Sequence, residues 1–426
     1  MPSIFQIKDR IFYGWVVVVA LITSSLIMVG VNSSFGVFFK SLEGTFGLTR
    51  AATSAILSCR LAFSCIFAFL GGWAMDRYGP RVVFSFMGFF IGLSLILTGQ
   101  ALSIWHLFIT YSLLLAIGVG ATFVVTTATV LRWFNRKRGL ALGIAGSGSG
   151  LGTAFIAPLS AFLIGSFEWR NASMILGGIA WLVILPFSQL LKKDPYEIGA
   201  LPDGATSRYP TLEVELGKAS PQKIPLLRML LTTSFLFFLF IWILMSLSSF
   251  TVMTHIVPHS IDMGFSAIES ATILSLSGIA MVAGRFIAGV ITDKVRIKIV
   301  AIIFSIFQFI AVLWLVWAQE LWMLYLFGLV HGFTLGGFGT SMLVLIGRTF
   351  GLEDIGKILG VLEIGIYVGG IIGPFIGGLI FDVSNSYTLA FLIMAGLILV
   401  RITLVLLIGQ ITWGKGKTST LRYRLR

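Results

Sequence analysis

The sequence GWAMDRYGPRVV at residues 72–83 returns in altered form as GVITDKVRIKIV at residues 289–300. A glycine, an aspartate and two basic residues keep their places in both stretches, which lie 217 residues apart. Pro158 has a counterpart at nearly the same offset, because Pro374 follows it by 216 residues. Landmarks that share one offset indicate an internal repeat, so the first half of the chain recurs in the second.

Apolar runs surround both copies. Hydrophobic residues make up 57% of the 426 residues and charged residues only 11%, whereas a soluble domain carries about 25% charged residues. A membrane-spanning helix needs about 20 apolar residues. Runs of that order lie at 12–38, 51–75, 82–102, 105–131, 139–165, 172–191, 229–257, 266–291, 298–318, 321–347, 356–381 and 386–410. We therefore expect an all-α membrane protein with twelve transmembrane helices in two parallel six-helix repeats.

The basic residues predict how the chain lies in the membrane. With the N-terminus in the cytoplasm, 24 of the 30 Lys and Arg residues fall in cytoplasmic segments, three fall on the opposite side and three fall inside runs. Such a bias sets the orientation of membrane proteins. We expect a multi-pass protein of the plasma membrane with both termini cytoplasmic. The net charge of +13 is then a topology signal with some attraction to anionic lipid, rather than a sign of nucleic-acid binding.

The longest segment between runs divides the chain. It holds five of the eleven prolines and few apolar residues, which is typical of a linker. The predicted organisation is a six-helix N-terminal lobe at 1–191, a cytoplasmic linker at 192–228, a six-helix C-terminal lobe at 229–412 and a basic tail at 413–426.

The first repeated stretch contains the pattern Gly72-x3-Asp76-Arg77-x-Gly79-x-Arg81. It resembles the signature loop between the second and third helices of the major facilitator superfamily. An aspartate here can accept from the positive N-terminal end of a neighbouring helix, and the arginines can pair with carboxylates or lipid phosphate. We expect these clusters to latch one lobe against the other during alternating access. The expected gating residues are Asp76, Arg77, Arg81, Asp293, Lys294, Arg132 and Arg348.

Two further stretches resemble a narrower group. Tyr13-Gly14-Trp15 opens the first run, and residues 132–146 lead into the fifth. Both are similar to signatures of the monocarboxylate transporters and oxalate/formate antiporters within that superfamily. The resemblance implies small carboxylate substrates, such as lactate or pyruvate, moved with a proton or by exchange.

Arg285 is the leading candidate for substrate binding. It lies eight residues before Asp293, about 12 Å along a helix and well inside the membrane. No helical neighbour three or four positions away is acidic, and an unpaired guanidinium there costs several kcal/mol. Its flat fork can bind a carboxylate through two hydrogen bonds. The family resemblance also implies an essential arginine in this helix. The alternative is a structural ion pair with a distant helix.

Three positions depart from the relatives. Met281 stands where animal monocarboxylate transporters usually have an aspartate, and Ser33 stands where they have a lysine. The oxalate exchanger has a second cation near the position of Ile366. The relatives' proton relay therefore does not transfer directly. A monocarboxylate fits better than a dicarboxylate, which would lack its second anchor.

Other polar residues inside the runs leave alternatives open. Glu363 could carry the coupled proton or act as a gate, and Tyr367, one turn beyond it, is a further substrate-binding candidate. His331 could bind substrate, titrate near neutral pH or simply pack. Asn32 could line the cavity. We expect Arg60 to snorkel or to pair with a gate, since long cationic side chains can reach the membrane surface.

These observations predict a secondary transporter that moves a small monocarboxylate by alternating access, with a proton as the coupling ion. An organic-anion exchanger is the nearest alternative, followed by a drug or sugar carrier, which would leave Arg285 without a role. A receptor should carry an added soluble domain, and an enzyme should show a nucleophile–base or metal pattern; neither is present in the sequence. We expect a monomer in the lipid bilayer, with no cofactor, metal, nucleotide or nucleic acid bound.

Overall fold

The computed structural model describes residues 12–134, 137–203, 232–292, 295–350 and 355–408. Within these ranges the regular structure is helical. Most of the expected linker, the whole basic tail and the gating candidates Asp293 and Lys294 lie outside the described residues. We use "N-terminal half" for residues 12–203 and "C-terminal half" for residues 232–408.

Three helices of the N-terminal half are long and apolar, with 21, 50 and 52 residues, and shorter helical segments lie between them. They are α1 (Tyr13–Ser33), α2 (Phe35–Phe46), α3 (Arg50–Gly99), α4 (Ile104–Leu107), a π-helical segment (Phe108–Leu114), α5 (Leu115–Val119), α6 (Thr122–Trp133) and α7 (Arg138–Gln189), followed by a short 3₁₀ helix (Pro195–Ile198). The side chain of Thr49 caps α3 by accepting from the backbone nitrogen of Ala52 at 3.2 Å.

The C-terminal half has helices of 18 to 30 residues. They are α8 (Thr233–Asp262), α9 (Ala267–Thr292), α10 (Ile297–Trp314), α11 (Leu321–Phe350), α12 (Ile355–Ser384) and α13 (Thr388–Leu407).

Two of the longest helices are broken inside. Gly79 in α3 has φ 80° and is followed by Pro80, a conformation that glycine adopts without a steric penalty. Glu168 breaks α7 at φ 64°. Ten helical stretches of the described chain are long and apolar enough to cross a membrane, and α3 and α7 each supply two legs at these breaks. The prediction of an all-α membrane protein is confirmed, and the structure is consistent with twelve crossings.

Apolar side chains fill the interior and also cover the outside. One core lies in the N-terminal half and includes Phe84 and Trp133, and another lies in the C-terminal half and includes Phe238 and Phe304. Large apolar residues such as Phe69, 79% exposed, point outward. An outer surface of this kind suits contact with lipid rather than water.

The two halves touch where small residues let backbones approach. A Cβ atom added to Gly150 of α7 would lie 2.7 Å from the carbonyl oxygen of Gly278 on α9. A Cβ atom added to Gly278 would in turn overlap the carbonyl of Gly150. Close approach of this kind is typical of helix interfaces in membranes. We call the contact zone between the halves the seam; α3 and α12 form its other long contact.

Candidate functional site

A charged cluster closes the seam on one face of the bundle, the face opposite to the one where α1 begins. We call it the opposite-face cluster. Its members from the N-terminal half are Lys40, Glu43 and Arg50, and those from the C-terminal half are Asp262, Asp382 and Tyr387.

Arg50 is the centre of this cluster. Its guanidinium donates to Glu43 at 2.9 Å, to Asp262 at 2.7 Å and to the hydroxyl of Tyr387 at 2.6 Å. Lys40 pairs with the other oxygen of Asp262 at 2.5 Å. Arg50 is only 3% exposed, so each of its bonds satisfies a charge that would otherwise be costly to bury. The cluster therefore ties the two halves together.

Asp382 completes the closure from the end of α12. Its carboxylate accepts from the backbone nitrogens of Arg50 and Ala51, both at 2.8 Å. These are the first residues of α3, where the helix dipole is positive, so a carboxylate is stabilised there.

A buried histidine extends the cluster into the seam. The Nε2 atom of His255 lies 2.9 Å from the carbonyl oxygen of Pro374, which can only accept, so Nε2 donates. Nδ1 then accepts from the hydroxyl of Tyr387 at 3.1 Å, and that hydroxyl accepts from Arg50. The hydrogen bonds thus run in one direction from Arg50 to Pro374.

The predicted gating residues that the structure describes make contacts within their own halves. Arg132 pairs with Asp76 at 2.6 Å, and Lys193 donates to the carbonyl oxygen of Asp76 at 2.6 Å. Arg348 donates to the carbonyl oxygen of Thr292 at 3.4 Å. None of these bonds crosses the seam. The latch between the lobes stays a prediction, since its second cluster lies outside the described residues.

The other two members of the first gating cluster are also held locally. Arg77 lies over the rings of Trp73 and Tyr78, 5.7 and 5.6 Å from their centroids. Arg81 donates to the side chain of Gln189 at 2.7 Å. Both arginines are exposed, so they remain available to lipid or to another part of the chain.

A cavity of about 150 Å³ lies in the seam; we call it the seam cavity. Both halves contribute to its lining, which consists of Met28, Val29, Asn32, Arg60, Leu61, Ser64, Val119, Thr122, Phe250, Glu363, Ile366 and Tyr367. Three predicted site residues therefore meet here, namely Asn32, Glu363 and Tyr367. The hydroxyl of Tyr367 donates to the carbonyl oxygen of Gly120 at 2.9 Å, across the seam.

Arg60 also lines the cavity, and the expectation for it was wrong. It neither snorkels nor pairs with a gate, since its side chain is 1% exposed. Its Nε and Nη2 atoms are buried without a hydrogen-bond partner in the described part of the chain. The sequence displayed the signal, a cation inside an apolar run with no local partner, but could not tell that the side chain points into the seam.

Arg285 lies at the seam between α7 and α9. Its Nη1 atom donates to the carbonyl oxygen of Gly146 in the other half, and Nη2 lies 3.9 Å from the sulfur of Met281. It forms no ion pair with an acid of the described ranges. It is not among the residues that line the seam cavity.

Comparison with known proteins identifies the family. A sequence profile of the Major Facilitator Superfamily matches residues 21–320 and 264–418. The chain belongs to this superfamily. A crystal structure of a bacterial homolog to the human lysosomal transporter Spinster, described as inward-facing and occupied, has the same fold. It matches with a TM-score of 0.70 and 12% identity over 94% of this chain and 97% of that one.

Several similar proteins within the Major Facilitator Superfamily are named monocarboxylate transporters. Monocarboxylate transporter 13 of Rattus norvegicus is 26% identical and covers 91% of this chain and 87% of its own length. Monocarboxylate transporter 12 of Homo sapiens is 26% identical over 89% of this chain and 77% of its own length. Monocarboxylate transporter 11 of Mus musculus is 24% identical over 91% and 85%. The resemblance noted in the sequence is thereby confirmed.

His331 lies away from the seam cavity of this superfamily member, inside the C-terminal half. It is fully buried and stacks on Phe327 with centroids 5.0 Å apart. Within the described ranges neither of its ring nitrogens has a hydrogen-bond partner. Nearby Arg401 donates to Gln308 at 2.8 Å and lies 4.3 Å over Phe338. In the described ranges, no group of three or more His, Cys, Asp or Glu residues could hold a metal ion.

Proposed function

We propose that this chain carries a small monocarboxylate across the plasma membrane together with a proton. The two predicted lobes, 1–191 and 229–412, rock about the seam and expose the site to each side in turn, while the linker at 192–228 connects them. The face of the bundle where α1 begins is cytoplasmic, and one copy of the chain is sufficient for transport. The names of the relatives support the substrate class, and the family supports alternating access.

Arg285 carries this proposal. It sits at the seam, it bonds to a carbonyl of the other half, and it has no acidic partner in the described ranges. A carboxylate offers the two acceptors that a guanidinium fork fits best. A neutral drug or sugar would leave this cation without a counter-charge in the membrane.

The closed opposite-face cluster fits a conformation open toward the cytoplasm. Six side chains hold that face shut, while the described contacts of Asp76 and Arg132 stay within one half. A structurally similar protein is also described as inward-facing. In this proposal the cytoplasmic latch of Asp76 and its repeat counterpart forms when the halves rock the other way.

The test is uptake of labelled L-lactate into proteoliposomes, with and without an inward proton gradient. Uptake driven by the gradient and lost in Arg285→Gln, while Arg285→Lys keeps a reduced rate, would support the proposal. Lys keeps the charge without the fork, so it separates the two contributions. Uptake that ignores the gradient and needs an internal anion would favour exchange. Full uptake by the Gln variant would overturn the role of Arg285.

A further inference from the structure

The seam cavity contains a cation that the proposed function leaves unused. Arg60 is buried, and two of its three guanidinium nitrogens have no hydrogen-bond partner among the residues that the structure describes. It also forms no ion pair within the described part of the chain. Burying a charged donor without a partner is unfavourable, so this arrangement suits a protein in which a ligand supplies the missing acceptors.

We propose that Arg60 is a second substrate-binding residue, which holds the carboxylate of the transported acid in the seam cavity while Glu363 on the facing wall carries the proton. This inference rests on the proposed function for the identity of the ligand. It goes further in assigning the cavity, its anchor and the coupling of proton to anion.

The cavity lining provides charged, polar and apolar side chains that suit a small carboxylic acid. Arg60 enters from α3 of the N-terminal half, and Glu363 enters from α12 of the C-terminal half. The side-chain oxygen of Asn32 likewise has no hydrogen-bond partner in the described structure. Leu61 and Phe250 supply apolar wall. The volume of about 150 Å³ far exceeds the roughly 10–15 Å³ that one water needs.

Arg285 does not compete for the same role in this conformation. It already donates to the carbonyl of Gly146, and it lies outside the cavity lining. Arg60 has no such acceptor among the described residues. Between Arg60 and Arg285, Arg60 is therefore the arginine that lines the cavity and still lacks acceptors that a carboxylate could supply.

Charge balance links the proton to the anion. Arg60 and Glu363 are the two lining residues that carry formal charge. With Glu363 ionised the lining is neutral, and an added anion would leave the cavity with a net negative charge, which a membrane interior disfavours. With Glu363 protonated the lining is +1, and one monocarboxylate restores neutrality. Binding of each therefore favours binding of the other, by the reciprocity of linked equilibria.

The remaining titratable groups near this pair do not disturb the balance. Tyr367 lines the cavity on α12, Tyr111 lies within electrostatic range of Arg60, and Cys65 lies within range of Glu363. Phenols and thiols are neutral near pH 7 unless a neighbour ionises them. The lining residues contributed by α1, α5, α6 and α8 are uncharged. Glu363 is thus the lining acid whose protonation sets the charge.

The experiment measures binding directly. Val29 lines the cavity without a polar role, so Val29→Cys, with Cys59 and Cys65 changed to Ser, places a reporter thiol there. We expect L-lactate or pyruvate to slow its labelling by a neutral maleimide, and more strongly at acidic pH. Arg60→Gln should raise the half-protecting concentration about 10- to 100-fold, the loss of one charge-assisted pair. Arg60→Lys should raise it less, and Glu363→Gln should keep protection but remove its pH dependence.

The outcomes separate this inference from the proposed function. Arg401→Gln is the matched control, because Arg401 is also buried, with two nitrogens that lack a partner among the described residues, but lies outside the cavity lining. In this variant the acids should slow labelling of the Val29→Cys thiol as much as in the parent protein. Unchanged protection in Arg60→Gln, or in Arg60→Lys if the Gln variant does not fold, would overturn the assignment. No protection by either acid in the folded parent would also overturn it. Protection that depends on Arg60 without any carboxylate uptake would leave the site standing and refute transport.

Discussion

The Arg50 guanidinium donates to the Asp262 carboxylate at 2.7 Å, and this bond joins the two halves of the chain on the opposite face. The same guanidinium also reaches Glu43 and Tyr387, so one buried residue satisfies acceptors from both halves. Opening that face would break the bonds of Arg50 to Asp262 and Tyr387 together, while its bond to Glu43 stays within the N-terminal half. The cluster is therefore a closure whose strength sets how often the opposite face opens.

Asp262→Asn should open this closure. The change removes the charge that holds both Arg50 and Lys40, and weakening a charge-assisted bond costs about 1–3 kcal/mol, so the closed state should lose about 5- to 150-fold in relative population. Spin labels at Gly44→Cys and Ile268→Cys, on exposed positions of the two halves, should report longer distances. Glu320→Gln, an exposed acid elsewhere on the chain, is the control. An unchanged distance distribution in Asp262→Asn would contradict the closure.

Gly278→Ala should hinder movement of the two halves along the seam. Its new methyl group would overlap the carbonyl of Gly150 and lie 2.8 Å from the backbone nitrogen of Ala154. Overpacking of this kind costs about 1–3 kcal/mol, and here the cost falls on the contact that must slide during alternating access. We expect slower uptake together with a lower melting temperature of the purified protein. Gly339→Ala, where an added Cβ meets nothing within 4 Å, should change neither quantity. Wild-type uptake by Gly278→Ala would show that the seam does not need this contact.

The fold could be predicted because composition and periodicity act over the whole chain. Apolar runs, a repeat with one offset and a bias of basic residues all depend on sums over many residues. The helix breaks at Gly79 and Glu168 fall between predicted apolar runs, because the runs end where polar residues interrupt them.

The site was harder to predict because it depends on which way single side chains point. Arg60, which we expect from the sequence to snorkel or to pair with a gate, is instead buried and points into the seam. The opposite-face cluster joins Arg50 to Asp382, residues far apart in sequence, and its sequence signal was slight. Lys40 and Arg50 are two of the few basic residues predicted on that side of the membrane. Two of their acidic partners, Asp262 and Asp382, lie near the ends of helices from the other half.

Asp76→Arg combined with Arg132→Asp tests the predicted latch on the face where α1 begins. The Asp76 side chain is 75% exposed and that of Arg132 is 30% exposed, so each single change should cost less than about 1 kcal/mol of stability. If the pair also gates, each single change should slow uptake several-fold, and the exchanged pair should recover part of the rate. The melting temperature and the initial uptake rate of the three variants decide this. Equal uptake by all of them would limit the pair to a local structural role.

His331→Phe and His255→Phe should have opposite effects on stability. Both histidines are fully buried, but His331 has no partner on either nitrogen whereas His255 bonds to Pro374 and Tyr387. Removing unsatisfied polar atoms from a stacked ring should raise the melting temperature. Replacing His255 removes ring nitrogens that are bonded to Tyr387 and Pro374. The free energy of unfolding should then fall by about 1–3 kcal/mol, because these partners lose their hydrogen bonds. Uptake should be unchanged in His331→Phe, since this side chain lies outside the seam cavity. A folded His331→Phe protein that no longer binds or carries carboxylates would instead assign His331 to the substrate, through a conformation in which α11 turns toward the seam.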